Sequence, residues 1–388
     1  MANNFKSDDS FLRKLAVGAA GTNATISRLK DMGFNPIELE RGSTGFKIWK
    51  KIKIKRVRVP DILCLNTGMR FESRGKTKSE ISMSHSLSDP KRAWDAGMRD
   101  DDVVSIVVFE PNIDSPIELK RISPVHFVSV RDMRQAFTNG QVSITKPKGV
   151  EEGSEIRVMW PCASANQRSV VSAVESSRIS LSPIGEGRRQ TIHLSRNKGK
   201  ITLLPQCKTD EFVEANQIVA AVVPVSIMLE PPMPVSEEYF KEKLMSVNLS
   251  ERYAAAKALR YKGYTTAKDV LKARVTDPDE DIYVQLEAAA ALAIHDDDNA
   301  WKFIEGKLRS TIMAVPLETQ LETVIVVSEI PKTRSEQLLI EVLRDTQRDD
   351  ELRAGAAWAL GQFASVTSAT ALADTFNSSP LEVKVEAA

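Results

Sequence analysis

The chain has 388 residues, 42% hydrophobic and 27% charged, which allows two to four globular domains and excludes a disordered or fibrous protein. Its net charge of +1 is unevenly spread: residues 1 to 105 carry 20 Lys or Arg against 13 Asp or Glu, a balance of +7, which leaves −6 for the rest and directs any polyanion to the front. Three scattered cysteines (Cys64, Cys162, Cys207) give neither a disulfide framework nor a zinc spacing, and the apolar runs are too short for a signal peptide or a membrane span, so a cytoplasmic protein with no membrane partner is expected.

In chain order, Phe11 to Gly33 carries apolar residues at helical spacing (Leu12, Leu15, Ala16, Ala19, Ile26, Leu29, Met32), with Gly18 and Gly21 as candidate breaks. A short strand, Ile37 to Glu40, turns through Arg41-Gly42-Ser43-Thr44-Gly45. Strands follow over Phe46 to Leu65 and Met69 to Met83, joined by Asn66-Thr67-Gly68; then come a helix over Asp89 to Met98 and a β-branched strand, Val103 to Phe109. The resulting order is α-β-β-β-α-β.

Two carboxylates stand out in this front region. Asp61 follows Pro60, and Glu72 lies eleven residues later in Phe71-Glu72-Ser73-Arg74-Gly75-Lys76-Thr77-Lys78. The strand leading to Asp61 alternates apolar residues (Phe46, Ile48, Ile52, Ile54, Val57, Val59) with a basic face that includes Lys51, Lys53, Lys55, Arg56 and Arg58, candidate contacts to a nucleic-acid backbone. Phosphodiester hydrolysis builds negative charge at the scissile phosphate, and Mg²⁺ or Mn²⁺ held by carboxylates on neighbouring strands both offsets that charge and activates a water. Because strands repeat every two residues, Glu72, Arg74, Lys76, Lys78 and Glu80 share one face unless Gly75 marks a bulge. Glu38 and Glu40 either add a ligand or pair with the neighbouring lysines. His85 and Trp94 are expected as packing or loop residues, and Asp100-Asp101-Asp102 as solvated turn aspartates.

Over residues 10 to 110 the strand order, Pro60-Asp61 and Glu72 resemble the restriction-endonuclease-like, PD-(D/E)xK nuclease superfamily. The resemblance implies metal ligation by Asp61 and Glu72 and a catalytic lysine two residues after the acid. Arg74 occupies that place, and arginine clamps phosphate well but is a poor base. The expected catalytic set is therefore Asp61 and Glu72 with Arg74, Lys76 or Lys78 as the cation.

From Ser115 to Pro234 the sequence breaks into short β-rich runs: Ser154 to Trp160, Val170 to Leu181, Gln190 to Leu194, Ile201 to Leu204 and Ile218 to Val225. Residues 170–181, 190–194 and 212–220 resemble a barrel-sandwich hybrid, of the type in the β subunit of multi-subunit RNA polymerases. The modifiable lysine turn of biotinyl and lipoyl domains is missing, which disfavours a cofactor carrier. Arg188, Arg189, Arg196, Lys198 and Lys200 form a basic loop region, and Glu230-Pro231-Pro232-Met233-Pro234 reads as a stiff linker.

The last region is repetitive. Ala255 to Leu259, Ala288 to Leu292, Thr323 to Val327 and Ala356 to Leu360 align at offsets of 33, 35 and 33 residues, the mark of a helical solenoid. The pattern resembles short HEAT repeats. Leu381 to Ala388 aligns with the repeat beginning at Leu352, so the expectation is either a truncated chain or a last repeat covered by a partner. A homo-oligomer is a separate expectation.

The sequence thus predicts a multidomain protein: an α/β restriction-endonuclease-like domain (1–112), a mostly-β domain (113–232) that is barrel-sandwich-like from about residue 151, and an all-α HEAT-like solenoid (233–388) with an incomplete last repeat. It lacks GxxxxGK[ST], HExxH, CxxC and GxSxG patterns. The leading expectation is a Mg²⁺-dependent endonuclease, with DNA as the favoured substrate and a protein partner on the repeats. Inactive nucleic-acid scaffold and protein-interaction adaptor are the alternatives. Pairing a nuclease with helical repeats resembles bacterial genome-defence proteins.

Overall fold

The first element, α1 (Asp8–Asp31), runs unbroken through Gly18 and Gly21, the two candidate breaks. Gly21 is needed where the helix crosses the sheet: a Cβ there would lie 2.6 Å from Gly75 N, and a Cβ on Gly75 would lie 1.9 Å from Val17 O. Small residues let helix and strand backbones approach closely. The structure, a computed structural model, describes residues 8–40, 57–112, 115, 117–146, 155–310, 314–376 and 379–387. The chain forms two compact units, one extending to Val235 and the other beginning at Ser236.

Helix α1 covers a mixed sheet of β1 (Pro36–Glu38), β2 (Ile62–Cys64), β3 (Arg70–Lys76), β5 (Val103–Pro111), β6 (Leu119–Arg121) and β7 (His126–Ser129). Here β4 denotes Ile81–Ser86, which lies in another sheet. Strands β2 and β3 form an antiparallel hairpin, whereas β3 and β5 are parallel, in register from Phe71 opposite Val103 to Lys76 opposite Val108. Along β5 the faces alternate. Val103, Val107 and Phe109 join Val17, Leu29 and Phe71 in a core under α1, while Val104 and Ile106 join Ile81, Trp94 and Trp160 in the core on the other side.

Two expected elements differ. The strand over Met69–Met83 is two strands, β3 and β4, because the chain turns between Lys76 and Ile81; β4 then pairs with β9 (Glu155–Trp160), Ile81 opposite Trp160. The helix over Asp89–Met98 shrinks to a 3₁₀ turn at Pro90–Arg92, since Ala93 is extended (ψ 149°) and Gly97 has φ +78°. That departure carries Trp94 inward, 4% exposed and 4.9 Å from the Trp160 ring.

Helix α2 (Val130–Thr138) and short antiparallel strands complete this unit: β8 (Ser143–Thr145), β10 (Cys162–Ser164), β11 (Ser169–Val174), β12 (Arg178–Pro183), β13 (Gln190–His193), β14 (Ser195–Arg196), β15 (Ile201–Thr202), β16 (Leu204–Pro205), β17 (Phe212–Val213) and β18 (Ile218–Ala221). They form sheets β4-β9-β8, β10-β18-β16, β13-β12-β11-β17 and β14-β15, and among the described residues no barrel closes. One hydrophobic core runs from Ile81 and Val104 through Trp160 to Val171 and Ile218, so it crosses the boundary expected near residue 112. The proline-rich segment is held to the unit at both ends: Leu229 packs on the core under α1, and Val235 N donates to Asn66 O at 2.8 Å.

The second unit is all-helical: α3 (Glu237–Leu244), α4 (Leu249–Lys262), α5 (Lys268–Thr276), α6 (Ile282–Ala293), α7 (Asp298–Arg309), α8 (Leu317–Ser328), α9 (Thr333–Arg344), α10 (Asp350–Gly361), α11 (Val366–Phe376) and α12 (Leu381–Ala387). Alternate helices pack on one another, α4 on α6, α6 on α8 and α8 on α10, and they carry the small-residue runs. Asp281, Asp297 and Asp349 cap α6, α7 and α10 with side-chain acceptors. The N-cap of α5, Ala267, has no such side chain; the Glu237 carboxylate of α3 accepts instead from Thr265 N (2.9 Å), Thr266 N (2.7 Å) and Ala267 N (2.9 Å). No described helix is long and apolar enough to cross a membrane.

Candidate active site

Continuing the β2–β3 register by one step from Ile62 opposite Phe71 puts Asp61 opposite Glu72. Cross-strand partners lie on the same face of a sheet, so the two carboxylates face one another. Asp61 Oδ2 accepts from Ser73 N at 2.7 Å, and its carbonyl accepts from Leu39 N (2.7 Å) and Glu40 N (3.2 Å). Those backbone bonds bring Glu40 up behind the pair.

Asp61 is 8% exposed and Glu72 7%. Burial pushes the Asp61 carboxyl well above its ordinary value, and Glu72 and Glu40 add repulsion. Burial likewise raises Glu72, against the pull of Arg74. Arg74 Nη2 meets Glu72 Oε1 at 2.5 Å. Burial opposes the Arg74 charge, but Glu72, Asp61 and Glu40 outweigh it and hold the guanidinium above its ordinary value. Gly75 marks no bulge, because the β3–β5 register is unbroken; it makes room for α1. Glu72, Arg74 and Lys76 therefore share the face away from the helix.

Farther along β3, Lys76 Nζ donates to Ser82 O (2.8 Å) and Ser82 Oγ (2.9 Å). Burial first, then the neighbouring Arg74 and Arg157, pull its ammonium down to about 7. Lys78 is not on this face: it is exposed in the turn after β3, as the break before β4 requires. Glu80, beyond the same turn, pairs with Arg157.

The other expected residues are dispersed. Lys51, Lys53, Lys55 and Arg56 lie outside the described residues, as do the Arg41–Gly45 turn and the strand up to residue 56. Arg58 is exposed, and its charge lowers the Glu72 carboxyl. His85 Nδ1 accepts from Trp94 N at 3.2 Å, a structural bond. Asp102, expected in solvent, is fully buried and holds Arg70, with Nε to Oδ1 at 2.9 Å and Nη2 to Oδ2 at 2.5 Å. Of the loop cations, Arg188, Arg189, Lys198 and Lys200 are exposed. Arg157 was missed, because its strand lies far along the chain and only the β4–β9 pairing brings it beside Ser82.

Hard carboxylate oxygens suit Mg²⁺ or Mn²⁺, and Mg²⁺ commonly takes one or two carboxylates and keeps several waters. The repulsion among the buried Asp61 and Glu72 and the half-buried Glu40, which Arg74 answers only in part, is what a divalent cation would offset, so the residues present fit one. Among the described residues no group of three or more His, Cys, Asp or Glu side chains is gathered as a metal set.

No protein-family model matches the chain, and no curated protein matches it. Among solved structures, human deoxyhypusine hydroxylase in complex with glycerol is similar over 39% of this chain, at 15% identity and a TM-score of 0.26. The similarity spans 59% of that protein's chain.

Proposed function

We propose that the first unit is a metal-dependent endonuclease of the restriction-endonuclease-like class, acting on DNA. One observation carries this reading: Asp61 and Glu72 face each other across a hairpin, buried and mutually repelling, with the Arg74 guanidinium on Glu72. Mg²⁺ or Mn²⁺ at that pair would supply Lewis-acid stabilisation and an activated water. Ser73 N–H orients the Asp61 carboxylate, Glu40 adds to its negative field, and Arg74 clamps a phosphate oxygen. The β-rich part retains its barrel-sandwich-like reading, and the helical unit serves as a HEAT-like surface for a protein partner, in keeping with a role in genome defence.

The Arg74–Glu72 ion pair favours a second reading, a scaffold that grips nucleic acid without cutting it. Plasmid incubated with the full chain and Mg²⁺ or Mn²⁺ separates the two. The nuclease reading expects nicking that EDTA stops and that Asp61→Ala and Glu72→Ala each reduce at least about 100-fold. Equal cleavage by all three proteins sinks it, and salt-sensitive binding without cleavage selects the scaffold.

A further inference from the structure

Beyond the acid pair, three cations line one edge of the first unit, and one of them comes from another sheet. Arg74 and Lys76 alternate along β3, while Arg157 reaches in from β9. Lys76 Nζ and Arg157 Nε both donate to Ser82 Oγ, at 2.9 Å and 3.0 Å, so one hydroxyl fixes both. Ser82 Oγ donates in turn to Glu80 Oε1 at 3.2 Å, and Arg157 Nη2 pairs with the same carboxylate oxygen. The side chains of Arg157 and Arg74 are 43% and 42% exposed, against 18% and 10% for the side chains of Glu80 and Glu72, and Lys76 is half-buried between them. The edge offers positive charge outward and keeps its carboxylates back.

Along β3, Lys76 is four residues from Glu72, on the order of 13 Å at strand spacing. That exceeds the reach of a single phosphate group. An oxyanion between Lys76 and Arg157 is therefore a different phosphate from the one at the acid pair.

We propose that Arg157, with Lys76 and held by Ser82 and Glu80, binds a second backbone phosphate of a polynucleotide, farther along the strand from the phosphate at Asp61 and Glu72. This rests on the nuclease reading for its substrate class and assigns that site a multi-phosphate ligand in place of a mononucleotide. Glu80 is the internal counter-ion that the phosphate displaces from Arg157.

The test is equilibrium binding of a fluorescent DNA oligonucleotide to the full chain, in Asp61→Asn to prevent cleavage and without divalent metal, across a salt series. Adding Arg157→Ala is expected to raise Kd about tenfold and reduce the log–log salt slope by about one. Adding Arg157→Lys should retain the slope, since it keeps the charge, and adding Glu80→Gln should tighten binding. These readouts separate phosphate contact from a merely structural role. Unchanged Kd and slope in the Arg157→Ala protein overturn the proposal, even if wild type cleaves plasmid and the nuclease reading stands. Failure of the parent protein to bind the oligonucleotide at low salt overturns it as well. Loss of slope with Arg157→Ala supports it even where the wild type shows no cleavage.

Discussion

The Ser73 amide donates to the Asp61 carboxylate at 2.7 Å, across the hairpin that sets Asp61 opposite Glu72. The bond holds in place a charge that the metal-free fold would rather lose. Asp61→Asn retains an acceptor for Ser73 N–H and removes the charge. An acid whose folded pKa is raised above about 3.9 binds protons more tightly in the folded state, so its cost grows as pH rises through that window. The variant is therefore expected to melt higher than wild type in EDTA, with a larger gain at pH 8 than at pH 5, while losing cleavage. Thermal melts at the two pH values check this, and a variant that melts lower at pH 8 contradicts it.

Gly75 and Gly18 should respond in opposite directions to alanine. A Cβ on Gly75 meets Val17 O at 1.9 Å, backbone against backbone, and forcing α1 off the sheet is expected to cost about 1–3 kcal/mol or more. Nothing lies within 4 Å of a Cβ on Gly18, inside the same helix, so Gly18→Ala should gain about 0.5–1 kcal/mol. Urea denaturation of the two variants decides.

Arg70 and Asp102 form a pair shielded from water, with side chains 1% and 0% exposed. Arg99 also donates to Asp102 through its backbone N at 2.7 Å. Arg70→Met removes the bidentate partner and leaves the buried carboxylate only the bonds from Arg99 N and Nε, for an expected loss of about 2–4 kcal/mol. Chemical denaturation measures it; a loss below about 1 kcal/mol refutes the assignment.

His126 supplies a pH-dependent loss. Its Nε2 accepts from Ile218 N at 2.9 Å, joining β7 to β18, and the ring is fully buried. Burial lowers its pKa to about 4, so its neutral form is the one that folds. Its stabilising effect is intact above about 6.5 and falls by about 1.4 kcal/mol per pH unit from there toward pH 4. His126→Gln keeps an acceptor but does not titrate. The stability difference between wild type and variant should shrink on acidification through that window and stay constant above pH 7.

How much of this was legible in the sequence depended on how local each determinant is. The α1 helix, the Asp61/Glu72 hairpin and the helical periodicity were readable because each repeats or alternates within a short window. The order of helices starting at Leu249, Ile282, Leu317 and Asp350 follows the spacing of the small-residue runs. By contrast, Thr77 to Glu80 carries no glycine or proline to announce a turn, so β3 and β4 read as one strand and Lys78 and Glu80 were placed on the wrong face. Gly75 suggested a bulge because its real constraint, Val17, lies on another element. Asp102 looked like one of three solvated aspartates until Arg70 came opposite it. Arg157 had no local signal at all, since its relation to Ser82 exists only through β4–β9 pairing.

Glu237 has a bearing on how the helical unit comes to order. Helix α5 has nine residues, short enough to be marginal in water by itself, and the acceptor for the amides of the turn that leads into it sits on α3, about 30 positions earlier in the chain. The amides of Thr265, Thr266 and Ala267 are thus protected from hydrogen exchange only while α3 is docked. Their exchange therefore reports the free energy of separating α3 from the turn that leads into α5.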